Sequence, residues 1–172
     1  MSAPSAKLLV MVGAQSACVK IVGRANFTSS IDFKTLINEL RQKGYHYFVM
    51  DMSECLLMDS TFLGVLAGFG LKMPADGKES DKYCIELLNP NPRLTELLEN
   101  LGVLHLFRVT QGSSAMPGNA EACTPSNPSR EDVTRACLEA HKTLMEINPD
   151  NVSRFKEVTQ FLAEDLKKLK SS

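Results

Sequence analysis

Apolar residues come in two rhythms along this chain. In "LLVMVG" (8–13) and "ACVKIVG" (17–23) they form short runs rich in β-branched side chains, separated by Ala14, Gln15 and Ser16, which predicts two strands joined by a turn. The second run alternates, with Cys18, Lys20 and Val22 opposing Val19 and Ile21. From Asp32 the rhythm lengthens: Phe33, Leu36, Ile37 and Leu40 recur at helical spacing and Gly44 follows as a stop signal. "YHYFVMDMS" (45–53) reads as the next strand, and its nearly continuous apolar centre suits a strand covered on both faces of a parallel sheet. "STFLGVLAGFGLKM" (60–73) is then a helix, ended by Pro74 and the polar stretch "ADGKESD". "KYCIELL" (82–88) is a strand, "NPRLTELLENLG" (91–102) a helix with Pro92 in its first turn and Gly102 after its end, and "LHLFRV" (104–109) a last strand. Strands alternating with helices imply right-handed crossovers, so the expected class is α/β: a mixed, mostly parallel β-sheet with helices packed on it.

From Gln111 to Pro128 the periodicity stops and Gly, Ser, Pro, Ala and Asn dominate, as in a linker. Ser129 restarts a helix with Asp132 three positions on, a variant of the capping box. Val133, Ala136, Cys137, Ala140, Leu144 and Ile147 make one apolar stripe. "NPDN" (148–151) turns the chain, and Val152, Phe155, Val158, Leu162, Leu166 and Leu169 make a second stripe, with Lys167, Lys168 and Lys170 where cations favour the helix dipole. The expected organisation is a domain over 1–110, a linker over 111–128 and an αα-hairpin over 129–172. Such a hairpin cannot bury both stripes alone. It must dock on the first domain, on a second copy to give a homodimer, or on a partner.

Composition narrows the function classes. With 19 basic and 20 acidic residues the formal charge is −1, so no broad electrostatic footprint argues for nucleic acid or an anionic membrane surface. Five cysteines are odd in number, widely spaced and without a C-x-x-C pair, which signals neither a disulfide framework nor a zinc site. They read as reduced thiols in a cytoplasmic protein. The apolar run near the N-terminus is too short to span a bilayer and lacks a basic flank and cleavage site, so neither export nor membrane insertion is expected.

The candidate chemistry centres on Asp59 and Ser60, where one element ends and a helix begins. Both residues are good N-caps, because their oxygens accept bonds from the free N–H groups of a first turn. The alternative is phosphorylation of Ser60. A phosphate at a helix N-terminus gains about 0.3–1 kcal/mol at an exposed site but is repelled by a neighbouring Asp, so the fold should survive. Buried against an apolar partner, a charge of about −1.5 to −2 would abolish binding. Leu63, Leu66, Ala67, Gly70 and Leu71 form one stripe of this helix, assigned to the sheet; Phe62, Val65, Phe69 and Met73 form a second. The second stripe is a wide core contact, a protein-binding face, or a surface covered by the C-terminal hairpin. Gly64, Gly68 and Gly70 lie within the helix, where they let it approach the sheet, and form no phosphate cradle. An enzyme reading is weak. Cys55 with His46 or His105 lacks an activating neighbour, His141 stands alone on a helix and reads as solvated, and Asp51, Glu54 and Asp59 read as loop acids without metal-ligand spacing. No cofactor is expected.

The run "YFVMDMSECLLMDSTFLGVLAGF" resembles the core of STAS domains, the module shared by sulphate transporters and anti-sigma factor antagonists: an apolar strand, D-[LM]-S, a short loop, then M-D-S-S-G-L-G-x-L. Asp51, Ser53, Met58, Asp59, Ser60, Leu63, Gly64 and Leu66 match that pattern, and the likeness extends over roughly 7–110. The resemblance implies a non-enzymatic bacterial switch in which Ser60 is phosphorylated by an anti-sigma factor, a serine kinase of the GHKL type. The unphosphorylated form binds that kinase and frees its sigma factor, and a phosphatase resets the cycle. Asp59, Thr61, Phe62, Val65, Phe69 and Met73 would then form the partner face. Thr61-Phe62 departs from the Ser-Gly frequent in the family and places a large ring where it could block or redirect the kinase. The hairpin lies outside the family pattern. The other function class is an accessory or scaffold subunit, of a membrane transporter or a signalling complex, without phosphorylation.

Overall fold

The computed structural model describes residues 6–73, 84–113 and 120–171. Strands β1 (Lys7–Val12) and β2 (Ser16–Ala25) form an antiparallel hairpin in which Leu8 pairs with Ile21 and Val10 with Val19. Helix α1 (Phe27–Gln42) crosses over to β3 (Tyr47–Asp51), which lies parallel to β2 with Val19 beside Met50. The helix begins five residues before the apolar rhythm does, because its first turn is held by polar groups. Asn26 Oδ1 accepts the N–H groups of Thr28 and Ser29, and Ser29 Oγ accepts from Asn26 N–H.

A short strand, β4 (Cys55–Met58), occupies what the sequence suggests is loop; it pairs in parallel with the far end of β2, across a register shift between Gly23 and Arg24. Helix α2 (Ser60–Lys72) follows, then β5 (Ile85–Leu88), parallel to β3, and α3 (Pro92–Asn100), whose cap is Asn91. The expected strand at 104–109 divides into a 3₁₀ turn (Leu104–Leu106) and β6 (Arg108–Thr110), parallel to β5. The segment expected to be linker contributes β7 (Glu121–Ala122), antiparallel to β1. Sheet order is β6-β5-β3-β2-β1-β7, with β4 beside β2. The polar stretch after Pro74 and the start of the strand expected at 82 lie outside the described residues.

Phe48 and Met50 of β3 enter the core with Phe33 and Ile37 of α1, Leu63 and Leu66 of α2, and Ile85 and Leu87 of β5. Tyr47 and Val49, on the opposite face of β3, are only half-buried, so that strand is not covered equally on both sides.

Helices α4 (Arg130–Ile147) and α5 (Asn151–Ser171) form the expected hairpin, and the Ser129–Asp132 capping box is present. Helix α4 lies on α2 and touches α1, while α5 packs on α4. Leu144 is fully buried within the same core as the sheet. At the turn, buried Asn151 donates from Nδ2 to the carbonyls of Leu101 (2.9 Å) and Leu144 (2.8 Å), fastening the hairpin to the end of α3. Gly102, at φ +72°, faces Asn148 so closely that a Cβ there would lie 2.2 Å from its Nδ2.

Candidate functional site

At the α2 joint, Asp59 serves two helices. Its Oδ1 accepts Phe62 N–H (2.8 Å) and caps α2, while its Oδ2 accepts Phe27 N–H (2.7 Å) at the start of α1. Burial holds the Asp59 carboxyl above its ordinary pKa, against the pull of the N–H bonds from Phe62 and Phe27. With the cap supplied by Asp59, Ser60 is the first helical residue and its hydroxyl is left for another partner.

That partner is His141 of α4, whose Nε2 is 2.8 Å from Ser60 Oγ. The other ring nitrogen, Nδ1, is 2.6 Å from the Cys137 carbonyl oxygen, which can only accept. Nδ1 therefore carries the proton, and in the neutral ring Nε2 accepts from the Ser60 hydroxyl. The imidazole packs against Phe155 of α5 at a centroid distance of 4.9 Å. Far from being solvated, His141 is 6% exposed. One residue along, Thr61 Oγ1 donates to Cys137 Sγ at 3.5 Å. Burial raises the Cys137 thiol pKa, and the Thr61 bond lowers it in part.

The glycines of α2 meet α4 and the 3₁₀ turn and not, as the sequence suggests, the sheet. A Cβ on Gly64 would fall 2.4 Å from the Ala140 carbonyl oxygen, one on Gly68 would lie 3.6 Å from Thr143 Cγ2, and one on Gly70 would lie 2.9 Å from Phe107 Cε1. The small residues of α4 thus ride directly over the glycine side of α2. The stripe of Phe62, Val65, Phe69 and Met73 turns mainly towards α1. Phe62 is fully buried with its ring 4.8 Å from that of Phe33, and Phe33 meets Phe69 edge-on at 6.0 Å. Phe62 therefore points away from the surface beside Ser60. Met73 is buried too, while Val65 is half-buried and lines a cleft of about 270 Å³ between α1, α2 and α4. Leu71, assigned by spacing to the sheet side, is 51% exposed. Lys34 and Glu139 bridge α1 and α4 at 3.3 Å.

Elsewhere the polar groups have structural employment. Cys55 is buried and its thiol is pushed up to about 11, chiefly by burial, which makes it a poor nucleophile. His46 and His105 are exposed and outside any strand. Asp51 is not a loop acid: it is buried and accepts from the N–H (3.0 Å) and hydroxyl (2.6 Å) of Ser53. Glu54 pairs with Lys20. Among the described residues no cluster of His, Cys, Asp and Glu could hold a metal ion, and no helix is long and apolar enough to cross a membrane.

Strand β3, the Asp51–Ser53 turn, β4 and the Asp59–Ser60 joint lie in the order of a known domain, and the model of the STAS domain matches residues 9–115. This chain belongs to the STAS family. The solved structures agree on the fold. An anti-sigma factor antagonist from Mycobacterium paratuberculosis has 19% sequence identity and a TM-score of 0.52 over 80% of this chain and 98% of its own. A putative anti-sigma factor antagonist from Thermotoga maritima has 17% identity and a TM-score of 0.52 over 60% of this chain and 85% of its own. At such identities the likeness is one of fold. A search of curated protein sequences finds no match. STAS domains are binding and regulatory modules, and in this one α4 lies across the joint at Asp59 and Ser60.

The site residue that periodicity missed is His141; Cys137 and Ala140 stand on the expected stripe, but their contacts with Thr61 and Gly64 were not foreseen. The signal for His141 was present: it stands four positions after Cys137 and three before Leu144, on the apolar stripe of its own helix.

Proposed function

We propose that this STAS protein is a phosphorylation-controlled protein-binding switch of the anti-sigma factor antagonist kind, with Ser60 as phosphoacceptor. The observation that carries this reading is the division of labour at the joint. Asp59 alone caps α2 and ties it to α1, so the Ser60 hydroxyl is not needed to start the helix and can be modified while the fold stands. The partner surface is the side of α2 that α4 covers, from Asp59 and Thr61 to Val65, with the buried rings of Phe62 and Phe69 and the side chain of Met73 setting its position. Thr61 is 4% exposed and bonded to Cys137, so a partner reaches it by lifting α4. The partner is an anti-sigma factor that is a GHKL-type serine kinase, bound while Ser60 is unmodified, and a phosphatase restores the hydroxyl. The protein acts in the cytoplasm, without catalysis of its own.

The test is incubation of the full chain with a candidate anti-sigma kinase and ATP, followed by site mapping by mass spectrometry. Phosphate on Ser60 supports the reading. An unmodified Ser60, under conditions in which the same kinase modifies another substrate, contradicts it.

A second reading, an accessory or scaffold subunit without phosphorylation, is favoured by one observation: α4 already covers the Ser60 side of α2. Co-purification with a membrane ATPase complex, and binding unchanged by Ser60→Asp, would select it.

A further inference from the structure

Besides Leu144 in the core, the Lys34–Glu139 bridge and the Thr61–Cys137 bond, three contacts hold the hairpin on the STAS domain: Asn151 bonds the end of α3, Ala140 sits over Gly64, and His141 takes the Ser60 hydroxyl. The first two are indifferent to the chemical state of Ser60; the third depends on it. At 2.8 Å from Nε2 to Oγ there is no room for another atom between the two side chains. A phosphoryl group would replace the hydrogen that Nε2 accepts. It would also bring a charge of about −1.5 to −2 beside the Asp59 carboxylate. Among the described residues His141 is the only side chain bonded to Ser60, and no lysine or arginine joins it. Among the described residues, the groups that His141 meets besides Ser60 are the Cys137 carbonyl, the Phe155 ring and, electrostatically, the Asp59 carboxyl, none of them a cation.

We propose that a docked α4 and a charged group on Ser60 exclude each other, so that modification of Ser60 releases the hairpin from α2 and uncovers the Gly64 and Gly68 side together with Ala136, Cys137 and Ala140 of α4. The hairpin then competes with the kinase for α2 while Ser60 is neutral, and once α4 is released the charge on Ser60 itself keeps the kinase off the uncovered face. That role rests on reading Ser60 as a phosphoacceptor, but the coupling is a property of the chain itself and can be measured without a kinase.

Cys137 is the reporter. It is half-buried where α4 meets Thr61, Cys18, Cys55 and Cys84 are buried, and Cys123 is the other partly accessible thiol. In a full-length Cys123→Ser background, maleimide labelling of Cys137 is followed by mass spectrometry, with circular dichroism to verify that the sheet remains folded. Ser60→Ala removes one bond without adding bulk or charge and should leave the labelling rate within about two-fold of the parent, whereas Ser60→Glu should raise it about ten-fold or more. Gly64→Ala, which drives a Cβ into the Ala140 carbonyl, should raise it independently of charge. Fast labelling in Gly64→Ala with unchanged or slower labelling in Ser60→Glu overturns the proposal and leaves the kinase experiment to decide the phosphoacceptor. Labelling equal to the parent in every variant also overturns it, because α4 docking would then not seal Cys137. Release by Ser60→Glu in a chain that no kinase modifies keeps the coupling and removes the phosphoacceptor reading.

Discussion

Asp59 and Ser60 are adjacent, yet the structure gives them separate tasks, and substitution should separate them. Asp59→Ala removes the acceptors of two helix-starting N–H groups and should destabilise the protein by about 1–3 kcal/mol, read from urea denaturation. Ser60→Ala, losing one hydrogen bond to His141, should fall within about 1.5 kcal/mol of the parent. A different side chain governs behaviour at high pH. Tyr47 donates its hydroxyl to Glu86 at 2.8 Å, and burial, with this bond, pushes its phenol from 10 up to about 12. The folded state thus keeps the phenol neutral where the unfolded chain ionises it. The stability it contributes is fully present below pH 10 and is lost between pH 10 and about 12. Buried Cys55 has the same sign, from 9 to about 11, so the Tyr47 share is the difference between the parent and Tyr47→Phe. Denaturation series should show a shallower decline above pH 10 in that variant; parallel declines would contradict the assignment.

At the scale of elements, what was legible in the sequence depended on whether a signal was local. β1, β2, β3, β5, α2, α3 and both hairpin helices follow the period of their apolar residues, and the caps at Asp59 and Ser129 follow from residue type. β4 was not legible, because a strand of four residues exists only through its pairing with the tail of β2. The first turn of α1 was hidden for another reason: it is polar, held by Asn26 and Ser29, with Phe27 left 45% exposed. Within the candidate site, Asp59 and Ser60 stand out in the sequence, but His141 is 81 positions from its partner and only the docking of α4 brings it there. The glycines were visible and their neighbour was not. Gly64→Ala improves the intrinsic helix propensity of α2 but overpacks the α2–α4 contact, so a net loss of about 1–3 kcal/mol is expected instead of a gain. Stabilisation of the variant would show that α4 can shift at no cost.

The whole molecule joins a STAS fold to a hairpin that closes over the Asp59–Ser60 joint. Helix α4 docks on the STAS domain, the first of the three expected placements, while α5 contacts α4 and leaves Val158 (40%) and Phe161 (65%) exposed, the face that would be buried if two copies pair through residues 129–172. Sedimentation velocity should then show a dimer that Phe161→Glu converts to monomer; identical monomeric profiles would remove the dimer. The central claim is that a neutral Ser60 keeps α4 on α2, and amide hydrogen exchange of the full-length parent and Ser60→Glu tests it most directly. The account predicts faster exchange across 130–147 and in the first turn of α2, with β2, β3 and β5 unchanged. Equal protection of α4 in the two proteins would contradict it.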